Sequence, residues 1–233
     1  MTDKFPLIFL PGLLCDAALW QHQITHVQNI ADCQVADITQ HDRIEHLARD
    51  VLTKAPAQFA LAGLSMGGYV AFEIMRQAPE RVLKLALLDT SARPDTLDQR
   101  ERRQLLLMMS RRGQFKGVTP RLLPMLIHPD RLQDTNLTDI ITAMAERVGR
   151  DAFHNQQTAI LHRIDSRPFL TNIICPTLVV GGMQDGLTPP DIVHEIAAGI
   201  PNAQLQLIDN CGHLAPLEQP ERVNGFMREW LTA

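Results

Sequence analysis

Short apolar runs alternate with amphipathic helical patterns along the chain, and this constrains the fold more than any other feature. FPLIFLPG (5–12), CQVADIT (33–39), QFALAGL (58–64), VLKLALLD (82–89), PTLVVGG (176–182) and AQLQLID (203–209) read as strands. Residues 17–30, 43–54, 67–79, 190–200 and 220–231 read as helices. In 43–54, for example, Ile44, Leu47, Val51 and Leu52 recur at helical spacing. Such alternation predicts a parallel sheet with crossover helices. The rhythm breaks from 91 to 168, where only helical stretches such as LDQRERRQLLLMMSRR and LTDIITAMAERV occur. The expected organisation is an α/β core of residues 1–90 and 169–233, interrupted by a helical cap insertion at 91–168.

Charge and composition exclude several classes of function. A net charge of -4 and a pI near 6.1 give no overall attraction to nucleic acid or anionic membranes. No window approaches the roughly 20 apolar residues of a membrane helix. The first apolar run is short and broken by Pro6, Pro11 and Gly12, unlike a secretory signal. The expected location is therefore cytoplasmic. Cys15, Cys33, Cys175 and Cys211 are scattered with no CxxC pair, which argues against a zinc site or a disulfide framework and for buried, inert thiols. One local exception stands out. Between Arg93 and Arg131 there are nine Lys/Arg against four Asp/Glu, either a solvated helical face or a docking patch for an anionic carrier or substrate.

The sequence GLSMG places Ser65 between an apolar run and a helical pattern. A sharp strand-to-helix turn lifts a serine hydroxyl clear of the sheet and sets it at a helix N-terminus, and small residues on either side avoid collision. A plain N-cap serine would also fit this pentapeptide. A serine nucleophile needs a base. Among the nine histidines, His22, His26, His41, His46, His154, His162 and His194 sit in helical or polar stretches, and His128 lies in the basic insertion. His213 instead follows the strand at 203–209 by a short loop, which puts it at the same sheet edge as Ser65. Asp185 follows the strand at 176–182 and is the preferred partner to orient His213; Asp89 competes for that role, and Asp209 is too close to His213 in sequence. Two backbone donors are needed for an oxyanion. The amide of Met66 is one candidate, and that of Leu13, in the loop after the first strand, is the other.

GLSMG, GGMQDGLTPP, CGHLAPLEQPERV and PGLLCDAALW, in this order of roles, resemble motifs of the α/β-hydrolase superfamily over nearly the whole chain. The overall pattern is similar to small bacterial carboxylesterases, including those acting on acyl carrier protein methyl esters. The resemblance implies Ser65, Asp185 and His213 as the triad and residues 91 to about 168 as a helical cap. It also implies six parallel strands, because there is no room for the two extra N-terminal strands of the familiar core. Pro11-Gly12 departs from the His-Gly of many relatives. The implied activity is acyl-enzyme hydrolysis of a small-molecule carboxylic ester or thioester, free or carrier-linked, without a metal or organic cofactor. C–C hydrolysis, lyase or cofactor-free haloperoxidase chemistry on the same fold is the alternative, and a non-catalytic ligand-binding protein is the third reading. The cap residues Leu105 to Met109, Leu122, Leu123, Met125 and Leu126 are expected to wall an acyl pocket or to pack the cap helices together.

Overall fold

In a computed structural model, which describes residues 4–112, 115 and 117–233, the chain forms one six-stranded sheet with helices on both faces. In chain order the elements are β1 (Phe5–Leu10), α1 (Gln21–Val27), β2 (Ala31–Val35), α2 (Ile44–Lys54), β3 (Phe59–Leu64), α3 (Met66–Gln77) and β4 (Val82–Leu88). There follow α4 (Leu97–Arg112), α5 (Leu123–Leu126), α6 (Thr135–Leu161), β5 (Thr177–Gly182), α7 (Pro190–Gly199), β6 (Ala203–Ile208), α8 (Ala215–Glu218) and α9 (Pro220–Thr232). The strand order is β2-β1-β3-β4-β5-β6, and every pairing is parallel.

The apolar runs explain this arrangement. β3 and β5 are buried at every residue, as central strands covered on both faces must be, whereas the edge strands β2 and β6 keep exposed positions. Alternation divides the core in two. In β1, Leu7 and Phe9 join a cluster with Trp20, Val223, Met227 and Trp230, while Ile8 and Leu10 point to the opposite face with Leu47, Val51, Phe72 and Ile196.

Element boundaries differ from the sequence reading where a local interaction overrides periodicity. β1 stops at Leu10, since Pro11 has no N–H to continue the ladder. β2 spans 31–35 rather than 33–39. Beyond Val35 the Asp37 carboxylate accepts from the Thr39 N–H and hydroxyl, turning the chain away. The helix expected over 17–30 starts as a 3-10 turn (Ala17–Trp20) capped by Asp16, and its α-helical part ends at Val27. Helix α6 is longer than its apolar stretch, starting with an Asp134 cap and running through Gly149, whose φ of 78° breaks it into two.

The segment between β4 and β5 holds α4, α5 and α6, with no strand among its described residues. Leu105, Leu106, Met108 and Met109 on α4 are exposed, and Leu107 is half-buried. Leu123 is buried, and Leu122 and Leu126 pack half-buried against the core; Met125 is exposed. Four of the nine basic residues of this stretch are engaged internally. Arg93 pairs with Glu195 at 2.8 Å, Arg103 and Arg163 converge on the buried Asp95, Arg131 pairs with Asp134, and Arg100 donates to the Leu161 carbonyl. Lys116, also in that stretch, lies outside the described residues. Cys15 and Cys211 are buried and Cys33 and Cys175 half-buried, all four as free thiols. Burial pushes the Cys15 thiol up to about 12. Among the described residues, no helix is long and apolar enough to cross a membrane.

The start of α3 lies against the end of β1. A Cβ on Gly67 would sit 2.2 Å from the Leu10 carbonyl oxygen, and one on Gly63 would sit 2.5 Å from the Gly67 carbonyl oxygen. Gly225 in α9 has nothing within 4 Å of its would-be Cβ. Gly67→Ala is therefore expected to destabilise the protein by about 3 kcal/mol through backbone overpacking. Gly225→Ala should be neutral or stabilising by up to about 1 kcal/mol, because alanine is the better helix former. Urea unfolding of the two variants beside the wild type measures both values.

Candidate active site

The site is assembled at the C-terminal edge of the sheet. Ser65 follows directly on β3 and precedes α3, with φ of 53° and ψ of -112°. Positive φ in a residue with a Cβ is strained, and such strain persists only where the surroundings hold it. Here the Ser65 N–H donates to the Leu88 carbonyl at the end of β4, and the Thr90 hydroxyl donates to the Ser65 carbonyl at 2.7 Å. The side chain makes no helix cap, so the plain N-cap reading of this serine is set aside. Its hydroxyl lies 2.9 Å from His213 Nε2.

His213 is 4% exposed and reaches Ser65 from the loop after β6. Its Nδ1 lies 2.7 Å from Asp185 Oδ2, from the loop after β5. An Nδ1–H donated to Asp185 leaves Nε2 free to accept the Ser65 proton. Burial alone would raise the Asp185 carboxyl, but the His213 charge and hydrogen bond, with those from Thr188, outweigh it and bring it down to about 2. Burial works against a charged His213, yet the Asp185 charge and hydrogen bond, then the charges of Asp89 and Glu218, hold its pKa above the usual value. The three side chains singled out in the sequence thus form one hydrogen-bonded line, able to draw a proton from a serine hydroxyl.

Asp89, the competitor, does not bond to His213. It is fully buried, and its carboxylate accepts the Gly182 N–H at 3.0 Å and the Ala215 N–H at 3.2 Å, tying β5 to the start of α8. Burial, then the Asp185 charge, pushes its pKa well up. Asp209 is exposed, and the His128 ring accepts from the neighbouring Asp130 N–H.

Two supporting residues escaped the sequence reading. Thr188 donates its hydroxyl to Asp185 Oδ2 at 2.5 Å and its N–H to Oδ1 at 3.0 Å, beside the Leu187 N–H at 2.7 Å. Its place three residues after Asp185 was the available signal, since an Asx turn bonds forward over that distance. Glu218 is the second. It is 2% exposed, and its carboxylate accepts the N–H groups of Gly212 and Leu214, on either side of His213, and of His128 from the β4–β5 segment. The His213 N–H donates to the Leu126 carbonyl at 3.0 Å. The histidine loop and the α5 end are thereby joined. Only the Glu218–His213 proximity in sequence hinted at this.

The loop after β1 passes beside the serine. A Cβ on Gly12 would lie 3.6 Å from Ser65 Cβ. Of the three amides after Gly12, Leu14 donates to the Gln156 side chain and Cys15 to the Gly12 carbonyl, whereas Leu13 finds no acceptor among the described residues. Met66 N–H, in the first turn of α3, likewise has no acceptor among the described residues, as the leading amides of a helix must. Helix α3 directs its positive end at this region.

Comparison with known proteins identifies the fold family. A family model described as the alpha/beta hydrolase fold matches residues 44–220. A thermophilic esterase from Thermogutta terrifontis is similar in structure with a TM-score of 0.88, at 30% identity, over 98% of this chain and 89% of that one. The enol-lactonase from Burkholderia xenovorans LB400 superposes with a TM-score of 0.89 at 20% identity, covering 99% of this chain and 92% of the other. The pimeloyl-[acyl-carrier protein] methyl ester esterase of Nitrosomonas europaea is 24% identical over 93% of this chain and 91% of its own length. With its six parallel strands, its strained serine turn and this family match, the chain belongs to the α/β-hydrolase fold family.

Proposed function

We propose that this protein is a serine hydrolase that cleaves a carboxylic ester or thioester through an acyl-enzyme. The observation that carries the reading is the unbroken line from Asp185 through His213 to Ser65, at 2.7 Å and 2.9 Å. Ser65 Oγ attacks the acyl carbonyl while His213 Nε2 takes its proton. Asp185 holds the imidazole in the required tautomer and stabilises the imidazolium. The Met66 and Leu13 amides donate to the tetrahedral oxyanion. His213 then returns the proton to the departing alcohol or thiol, and water attacks the acyl-enzyme by the reverse sequence.

The named activities of two similar proteins support an ester substrate. One is the esterase at 30% identity, and the other is an esterase acting on an acyl-carrier methyl ester. Residues 91–168 serve in this reading as a cap over the serine, tied to the histidine loop through Glu218 and Leu126. The substrate is a small acyl ester or thioester, free or carrier-linked.

Two measurements test the reading. Ser65→Ala should lower turnover of a p-nitrophenyl acyl ester by about 10⁴-fold or more and abolish labelling by a fluorophosphonate. Unchanged turnover would overturn the assignment. The second concerns pH. The base must be neutral to act, and its pKa is raised, so kcat should rise with pH through a limb lying above the ordinary histidine value of 6.5. Removing the Asp185 charge removes the main cause of that rise. Asp185→Asn is therefore expected to move the limb to lower pH while lowering kcat about 10⁴-fold, as read from pH–rate profiles of both proteins.

A further inference from the structure

Gln156 has no part in the hydrogen-bonded line, yet it is completely buried in the second half of α6. A buried amide side chain is costly unless its polar atoms are used. Its Oε1 accepts the Leu14 N–H at 3.1 Å, and its Nε2 donates to the Ile38 carbonyl at 3.4 Å. The first bond spans 142 residues and ties the β4–β5 segment to the loop after β1. Other side chains of α6 bond to this loop and to the loop after β2. Arg147 forms an ion pair with Asp16 at 2.6 Å, and Asn155 donates to the Thr39 carbonyl.

The bond to Leu14 falls at a sensitive place. Leu14 has φ of 59°, a left-handed conformation that is uncommon for a leucine and needs outside support. It lies next to Leu13, whose amide has no acceptor among the described residues and which follows Gly12, the loop residue beside Ser65. A peptide plane joins the Leu13 carbonyl to the Leu14 N–H, so fixing that N–H limits how the Leu13 residue can rotate.

We propose that Gln156 is a positioning residue for the oxyanion site. By accepting the Leu14 N–H, it removes that amide from the reaction and holds the turn so that the Leu13 N–H is the loop's donor. Gln156 touches no reacting atom; it acts through Leu14. The consequence is that α6 of the β4–β5 segment, and not the sheet alone, sets the geometry of transition-state stabilisation. The inference rests on the reading of Ser65 as nucleophile and of Leu13 and Met66 as oxyanion donors.

An aryl trifluoromethyl ketone separates this role from simple support of the fold, because it adds to a serine nucleophile and leaves a tetrahedral oxyanion in the site. Gln156→Met keeps the length and removes the acceptor. It should lower kcat on a p-nitrophenyl acyl ester about 100-fold, with KM within about threefold. Ketone affinity should weaken by a similar factor, while the acid limb of the pH profile stays in place. Gln156→Glu retains an acceptor for Leu14 and should recover most of kcat. Gln156→Asn keeps an amide but withdraws it by one methylene, and should reproduce the loss even if the methionine variant fails to fold. Wild-type kcat and ketone affinity in both the Met and Asn variants would overturn the proposal, as would lost kcat with unchanged ketone affinity or with a displaced acid limb. A wild-type enzyme untouched by the ketone would instead bring down the Ser65 reading itself.

Discussion

The site depends on one strained turn. Ser65 stands at φ of 53° between the end of β3 and the start of α3, a conformation that is unfavourable by about 1–3 kcal/mol in isolation. The fold offsets it by pinning both sides of the residue: its N–H bonds to Leu88 of β4 and its carbonyl receives the Thr90 hydroxyl. Close approach completes the arrangement. Gly67 brings α3 against the Leu10 carbonyl so tightly that no side chain fits, which also sets the loop after β1 next to the serine. Remove that proximity and the serine turn, the start of α3 and the loop after β1 no longer meet in one place.

Around this turn the parallel sheet acts as a common ruler. β3, β5 and β6 all end at one edge, so the loops that follow deliver Ser65, Asp185 and His213 within hydrogen-bond distance of one another despite separations of 28 and 148 residues. Burial then sharpens the chemistry. Because Asp185 and His213 are both buried, the Asp185 charge is poorly screened, which is why it holds His213 above its ordinary pKa and is itself brought down to about 2. Asp89 illustrates the opposite use of a buried carboxylate. It too ends a strand at this edge, but its oxygens are taken up by backbone N–H groups of Gly182 and Ala215, so it braces the frame without orienting the histidine.

The β4–β5 segment is attached at both flanks of the site. Glu218 and the Leu126 carbonyl bind it to the histidine loop, and Gln156 binds it to the loop after β1. By contrast, α4 bonds to α6 through Arg100, Arg103 and Ser110 but leaves Leu105, Leu106, Met108 and Met109 exposed. The inner and outer parts of the segment therefore differ: one is anchored to the loops of the site, the other presents apolar side chains at the surface.

The sequence by itself determined the α/β class, the six strands and the residues at the strand ends, because those depend on local period and on motifs whose spacing is read directly. The strand runs at 58–64, 82–89 and 176–182 were legible because central strands are continuously apolar, and Ser65 because glycines must flank a sharp turn. The edge strand β2 was misplaced because its short alternating run begins directly after a helical pattern and its end is decided by an Asp37 turn. Tertiary structure alone decided between Asp185 and Asp89, the exposure of α4, and the parts played by Thr188, Glu218 and Gln156. Each of these turns on which hydrogen-bond donor or acceptor lies within about 3 Å, a distance that separations of 90 or 142 residues leave open until the sheet has folded.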